Sequence, residues 1–279
     1  MVLKASRRRR SNRAISPAIS AVIITGVMVA LITVAFAFAS NFLLVRMAES
    51  EFNSTKQFMQ TLGLQIDDVA WVIGRTETAR YSSRYGSIAF ESALNYTIYI
   101  STNGSEPIEK FYTNTVGIIC FNMPVAQYSV GNDYYELIYP SSNDGFLLSG
   151  ASAPVARIFA VEKLPMTDGS FVRVVVMPTI RMLNLRIGNM NYTRLYLPIL
   201  LEGEGPKHSQ SVTLTGQSFS KLGETVTGIR VVVSFPMKED GFNEFFFNFP
   251  EIEESISLAG ETVLELYVGE VDVAFGVHA

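Results

Sequence analysis

The distribution of apolar and polar positions divides the chain into two regimes. From Ile15 to Val45 there are thirty-one consecutive positions without Asp, Glu, Lys or Arg. A bilayer-spanning helix needs about 20 apolar residues, so this run is long enough to cross a membrane and to project beyond it. Ser16 is placed to cap the helix and Pro17 to occupy its first turn, where a missing N–H costs nothing. Downstream the periodicity becomes amphipathic: Met59, Leu62, Ile66, Val69 and Ile73 follow one another at spacings of 3, 4, 3 and 4, a single helical face. The seam covers about two heptads, which predicts packing on the chain's own downstream domain rather than a coiled coil. Gly63 interrupts it and predicts a bend.

After the helix the period shortens to two. Strands are expected at Leu94–Ile100, Thr115–Phe121, Tyr134–Tyr139, Arg157–Val161, Phe171–Met177, Met182–Ile187, Tyr192–Leu197, Ile229–Phe235 and Asn243–Phe249. In the last strand Leu264, Leu266 and Val268 share one face, and the apolar phase then switches to Val271, Val273 and Phe275. That switch predicts a β-bulge at Gly269. Turn signals separate the strands, with Thr167-Asp168-Gly169 the best hairpin candidate. The expected fold is α+β: a long N-terminal membrane-spanning helix, then a mainly antiparallel, sandwich-like β head. The corresponding divisions are a basic leader over 1–14, a transmembrane helix over 15–46, an amphipathic extension over 47–78 and a head over 79–279.

Charge fixes an orientation. Lys4, Arg7 to Arg10 and Arg13 all precede the apolar run, which keeps the N-terminus cytoplasmic and places the head outside. The whole chain holds 22 basic and 26 acidic residues. Residues 1–14 contain six of the basic ones and no acidic ones, so the remainder carries 16 basic against 26 acidic residues, a formal charge of −10. An acidic head argues against nucleic acid as a partner.

The junction between leader and helix is the most specific motif. A secretory signal has an apolar region of about 7–15 residues followed by a small-residue cut site. Here the small residue, Ala14, precedes an apolar run twice that length. Arg13-Ala14-Ile15-Ser16-Pro17-Ala18-Ile19-Ser20 resembles the N-terminus of archaeal type IV pilin-like proteins, whose class III signal peptides are cut before the hydrophobic helix by a prepilin peptidase. The resemblance covers about 35 residues and implies a processing site formed by Arg13, Ala14, Ile15, Ser16 and Pro17, with cleavage between Ala14 and Ile15. It also implies a cell-surface structural subunit, anchored in the membrane or assembled into a filament with itself or other pilin-like subunits, whose head serves adhesion or scaffolding. Bacterial pilins carry glutamate at the fifth mature position; here that residue is Ile19, which fits the archaeal branch. The competing reading is an uncleaved, single-pass ectodomain that binds a ligand or partner at the cell surface.

No arrangement for catalysis is evident. The two histidines, His208 and His278, and the single Cys120 are too few for a zinc site, and no Gly-X-Ser-X-Gly elbow occurs. No cofactor is expected. Cys120 lies in an apolar strand and reads as a buried thiol. Glu251-Ile252-Glu253-Glu254 reads as a solvated acidic face. Trp71, Tyr81 and Tyr85 with Arg75, Arg80 and Arg84 read as packing between helix and head. Four Asn-X-Ser/Thr sequons, at Asn53, Asn95, Asn103 and Asn191, are candidate glycosylation sites on the outer side.

Overall fold

A computed structural model describes residues 15–102, 109–141, 145–163, 170–205, 209–235 and 252–276. One long apolar helix precedes a large, mostly β region, so the fold is α+β. Helix α1 runs Ile15–Val69. It is followed by strands β1 (Thr76–Arg80), β2 (Ser87–Ser101), β3 (Glu109–Pro124), β4 (Tyr134–Tyr139), β5 (Leu147–Ser149) and β6 (Ala156–Glu162), then β7 (Phe171–Pro178), β8 (Ile180–Ile187), β9 (Met190–Glu202), β10 (Ser211–Ser234) and β11 (Glu253–Phe275). The chain divides between Met47 and Ala48 into two units.

In the first unit α1 is bare. Every large apolar side chain from Ile19 to Val45 is 45–76% exposed, and the most apolar stretch has a mean hydropathy of 2.6. Thr25 and Thr33 donate their hydroxyls to the carbonyls of Ala21 and Val29, both at 2.8 Å, so neither polar side chain needs a partner outside the helix. The described helix already includes Ile15, so Ser16 lies within it rather than at the cap.

The second unit starts where the helix becomes amphipathic. Ala48, Phe52, Thr55, Met59, Leu62, Ile66 and Val69 are buried at alternating spacings of 4 and 3, so the seam extends upstream of the stretch read from the sequence. Ile73 does not belong to it. The helix ends at Val69, short of the expected extension to 78, and Ile73 is 67% exposed in the turn that leads to β1. α1 is assigned as helix throughout Gly63, whose α-carbon faces Ile158; an added Cβ would lie 2.6 Å from that side chain. The glycine therefore allows close helix–sheet approach instead of marking an end.

All eleven strands belong to one sheet, in the order β4-β6-β7-β3-β2-β10-β11-β9-β8-β5, with β1 alongside β10. Pairings are antiparallel except β9 with β11 and β5 with β8. The sheet cannot be flat. Arg80 pairs with Ser211 and Asn95 with Ser234. A straight strand between those two serines would run about 76 Å, whereas the chain from Arg80 to Asn95 reaches about 54 Å when fully extended. β10 therefore bends back, and the register shifts at Gly216/Ser218 and Val226/Gly228 place the irregularities within it. The pairing of β11 with β10 is interrupted between Ser257 and Thr262, around Gly260 with φ +83°.

Curling gives the sheet an inner and an outer face, each with a core. The inner core joins Leu94, Ile118, Val161 and Val175 from one half to Met182, Leu195, Leu266 and Val268 from the other. The outer core packs the α1 seam on Ile119, Phe121, Ile158, Val174, Leu200, Val212, Val271 and Val273. Cys120 is buried in the inner core. These two cores explain the phase switch in β11. Its pairing with β9 is continuous from Thr262 to Val273, so no residue is inserted at Gly269. Instead, Leu264, Leu266 and Val268 face the inner core, and Val271 and Val273 face the helix. The nearby bulge lies in β10, at Gln217.

The expected strands in the described residues all occur, several of them longer than their apolar runs. The strand expected at Asn243–Phe249 and the turn Thr167-Asp168-Gly169 lie outside the described residues; β6 and β7, which flank that turn, pair antiparallel. β1, β5 and the first half of β10 had no counterpart in the sequence reading.

Gly216 and Gly269 carry the tightest part of the helix–sheet contact. A Cβ at Gly269 would lie 2.1 Å from the Ala70 carbonyl oxygen, and one at Gly216 would lie 2.4 Å from that of Val72 and 2.6 Å from that of Val69. Gly269→Ala is expected to destabilise the head by about 1–3 kcal/mol, since backbone rather than a flexible side chain must move. Gly223→Ala is the matched control, because its Cβ would meet only the Leu264 carbonyl at 3.6 Å. Urea unfolding of the full chain in micelles should separate the two; equal midpoints would contradict the close approach.

Candidate functional site

Of the processing residues, Arg13 and Ala14 lie outside the described residues, and Ile15, Ser16 and Pro17 form the start of α1. At the far end of the apolar segment, the Arg46 guanidinium sits 5.2 Å from the Phe42 ring centroid. A cation on an aromatic ring there suits the interfacial end of a membrane helix.

The helix is locked onto the head by polar contacts as well as by its seam. The Glu51 carboxylate accepts hydrogen bonds from the Ser83 hydroxyl at 2.6 Å and from the backbone N–H groups of Arg84 at 2.9 Å, Tyr85 at 3.0 Å and Gly86 at 3.3 Å. Converging amides around one carboxylate are the strong, charge-assisted kind. Lys56 pairs with Glu136 of β4, and Asp67 accepts from Arg181 of β8 and from the Trp71 indole at 2.8 Å. The aromatic–basic stretch after the helix serves the same attachment. Tyr81 packs on Phe58 at 5.2 Å and donates to the Ser209 carbonyl, Tyr85 joins the outer core, and Arg84 lies 5.5 Å from the Tyr85 ring. Arg75 pairs with Glu77 and Asp68.

Beyond the helix end the outer face carries an aromatic ladder across three strands. Trp71 meets Tyr196 edge-on at 5.4 Å, Tyr196 stacks on Tyr267 at 4.9 Å, and Tyr267 stacks on Phe219 at 5.8 Å. Glu265 sits beside it and accepts from Lys221 Nζ at 2.6 Å, Arg194 Nε at 2.7 Å and the Tyr267 hydroxyl at 3.0 Å. The Lys221 hydrogen bond foremost, then those of Arg194 and Tyr267, bring the Glu265 carboxyl down to about 2 against the opposing effect of desolvation. Every oxygen of that carboxylate is engaged within the chain, so the cluster acts as a cross-strand tie.

The sequons occupy different surroundings. Asn53 is exposed on α1. Asn95 is half-buried in β2 and its side-chain oxygen accepts from Thr115 at 2.7 Å. Asn191 is half-buried in β9 and lines a cavity described below. Asn103 lies outside the described residues, as do His208 and His278. The acidic run does not act as a unit: Glu253 accepts from Arg230 at 3.5 Å, Glu254 accepts from the backbone amides of Phe146 and Leu147, and Glu251 lies outside the described residues.

Sequence reading missed the Glu51 cradle, because its donors are one serine hydroxyl and three backbone amides, 32 to 35 positions away. It also missed the Glu265 cluster, whose members come together only through the β9–β11–β10 register.

No family model, curated protein or solved structure matches this chain.

The Glu265 tie has a pH signature. A carboxyl lowered from 4.5 to about 2 contributes stability that is fully present above pH 4.5 and is lost as the pH falls toward 2. Wild type and Glu265→Gln should therefore differ in urea midpoint at pH 7, with the gap narrowing below pH 4.5. A gap that stays constant down to pH 2.5 would contradict the assignment.

Proposed function

We propose that this chain is a pilin-like structural subunit of a cell surface. In this reading the leader is cut between Ala14 and Ile15 by a prepilin peptidase, leaving Ile15 as the first residue of α1. The bare apolar half of α1 anchors the protein in the membrane or enters a filament with other pilin-like subunits. The basic leader holds the N-terminus in the cytoplasm, and the sandwich-like β head is displayed outside for adhesion or scaffolding.

The observation that carries the reading is the division of labour within α1. One unbroken helix has an apolar half whose large side chains are 45–76% exposed and an amphipathic half whose seam is fully buried on the head. An apolar surface of that extent has no stable place in water and calls for lipid or like helices around it. A soluble protein would bury such a helix. A cleaved secretory signal would not run on into a structural element of the mature domain.

The N-terminus decides between processing and simple anchoring. Expressed in a host with its own prepilin peptidase, the membrane-fraction protein is expected to begin at Ile15 by intact-mass and N-terminal peptide analysis. Replacing Ala14 with a bulky residue should leave the leader attached. A wild-type chain that retains Arg7 to Arg13 would overturn processing and leave an uncleaved surface ectodomain.

A further inference from the structure

At one end of the curled sheet the inner face changes character on three neighbouring strands at the same level. Inner positions on β8 run Ile180, Met182, Asn184, Arg186, and those on β9 run Leu197, Leu195, Thr193, Asn191. On β11 they run Leu266, Leu264, Thr262. Register places Met182, Leu195 and Leu266 side by side as an apolar floor, and Arg186, Asn191 and Thr262 side by side two levels above it. A cavity of about 420 Å³ opens at the level of Asn184, Arg186, Asn191 and Thr262, with Ile256 and Leu258 from the bent part of β11 as its apolar wall. The volume lies within the range of about 300–1,000 Å³ that small-ligand sites occupy, and the open end of a curled sheet is a favoured place for them.

The lining has a definite chemistry. Asn184 and Asn191 each present a carboxamide, which can donate and accept together. Thr193, itself buried, donates its hydroxyl to Asn184 Oδ1 at 2.8 Å, which holds that carboxamide by its oxygen and leaves its NH₂ donors to face a ligand. Thr262 is buried and donates its hydroxyl to the Gly260 carbonyl at 3.3 Å, which fixes the wall beside Asn191. Arg186 is the one charged side chain among the described lining residues, and its planar fork fits a carboxylate. Paired donors and acceptors beside an aliphatic wall match a sugar ring, with its vicinal hydroxyls and its apolar C–H face.

We propose that this mouth binds an acidic saccharide of the uronic-acid type, with ring hydroxyls on Asn184 and Asn191 and the sugar carboxylate on Arg186. The site deepens the proposed function and rests on its reading of the head as a displayed surface module. It supplies the ligand class that an adhesive head would need.

The test is titration of the full chain in nanodiscs with galacturonic acid, galactose and acetate, followed by calorimetry and by NMR of the sugar. Galacturonic acid should bind saturably and galactose about tenfold more weakly, with acetate failing to compete. Arg186→Gln should abolish the preference for galacturonic acid over galactose. Asn184→Ala should weaken both sugars about tenfold. Arg186 is exposed, so its replacement keeps the fold, and an unchanged melting curve verifies this. Absence of saturable galacturonic acid binding would overturn the proposal. So would binding that neither variant alters, or acetate competing as well as the sugar acid. Mapping the N-terminus of the same preparation separates the two ideas. A chain that begins at Ile15 and binds no sugar acid overturns the site alone, whereas a chain that keeps its leader and binds overturns only the processing.

Discussion

The constraint on which the second unit depends is the close seating of a helix end on a sheet. Ala48 to Val69 present a strict 4–3 seam to the outer face, and the last turn reaches the sheet at Gly216 and Gly269. Side chains at those two positions would hold the helix end away, and the burial of Ile66, Val69 and Ala70 would be lost with the contact. Burying each large side chain of the seam is worth about 1.5–3 kcal/mol, so the seam supplies the energy. The Glu51 cradle and the Asp67 pair with Arg181 add little by comparison. They act at the two ends of the seam and fix its register on the sheet.

The same seating accounts for the shape of the sheet. A helix on one face and an enclosed core on the other require strands that are apolar on different faces along their length. β11 does this without an inserted residue, by moving its apolar positions from even to odd numbers as it passes from the enclosed core to the helix. β10 follows it with a bulge at Gln217, whereas at Thr227 the extra residues, 258–261, lie in β11. Between Gln217 and Thr227, Phe219 to Thr225 are exposed on both faces, and Lys221, Glu224 and the bulge keep that open edge from recruiting another strand.

How much of this was legible depended on whether one period governed a segment. The seam from Met59 to Val69 stood out because polar residues flank it; Phe52 and Ala48 merged with the apolar run upstream. Strands such as β6 and β7, buried on both faces, announced themselves as apolar runs. The first half of β10, Ser-Val-Thr-Leu-Thr-Gly-Gln-Ser-Phe-Ser-Lys, is buried from Ser211 to Leu214 and exposed from Phe219 on, and its small and polar residues occupy covered and open positions alike, so no apolar alternation marks it. The short edge strand β1, Thr-Glu-Thr-Ala-Arg, is hidden because it is half-buried at most and holds one apolar residue. The phase switch at Gly269 was visible, but its cause was not. A bulge and a change of covered face give the same one-dimensional pattern, and only the unbroken β9 pairing separates them.

The junction residues Arg13 to Pro17 could be picked out because their meaning is local: charge, small residue and apolar run are read in sequence. The mouth of the sheet is the opposite case. Asn184, Thr193 and Thr262 are unremarkable polar residues in three separate strands, and within each strand they look like solvent-facing positions. Register turns them inward and sets them at adjoining levels, above a floor of leucine and methionine. Polar residues retained on an inward face cost desolvation unless something pairs with them. Thr193 pairs with Asn184 and Thr262 with the Gly260 carbonyl, while Asn184 and Arg186 are exposed at the mouth. The proposed site uses that arrangement: the paired threonines fix the wall, and the exposed carboxamide of Asn184 and guanidinium of Arg186 are left to meet a ligand.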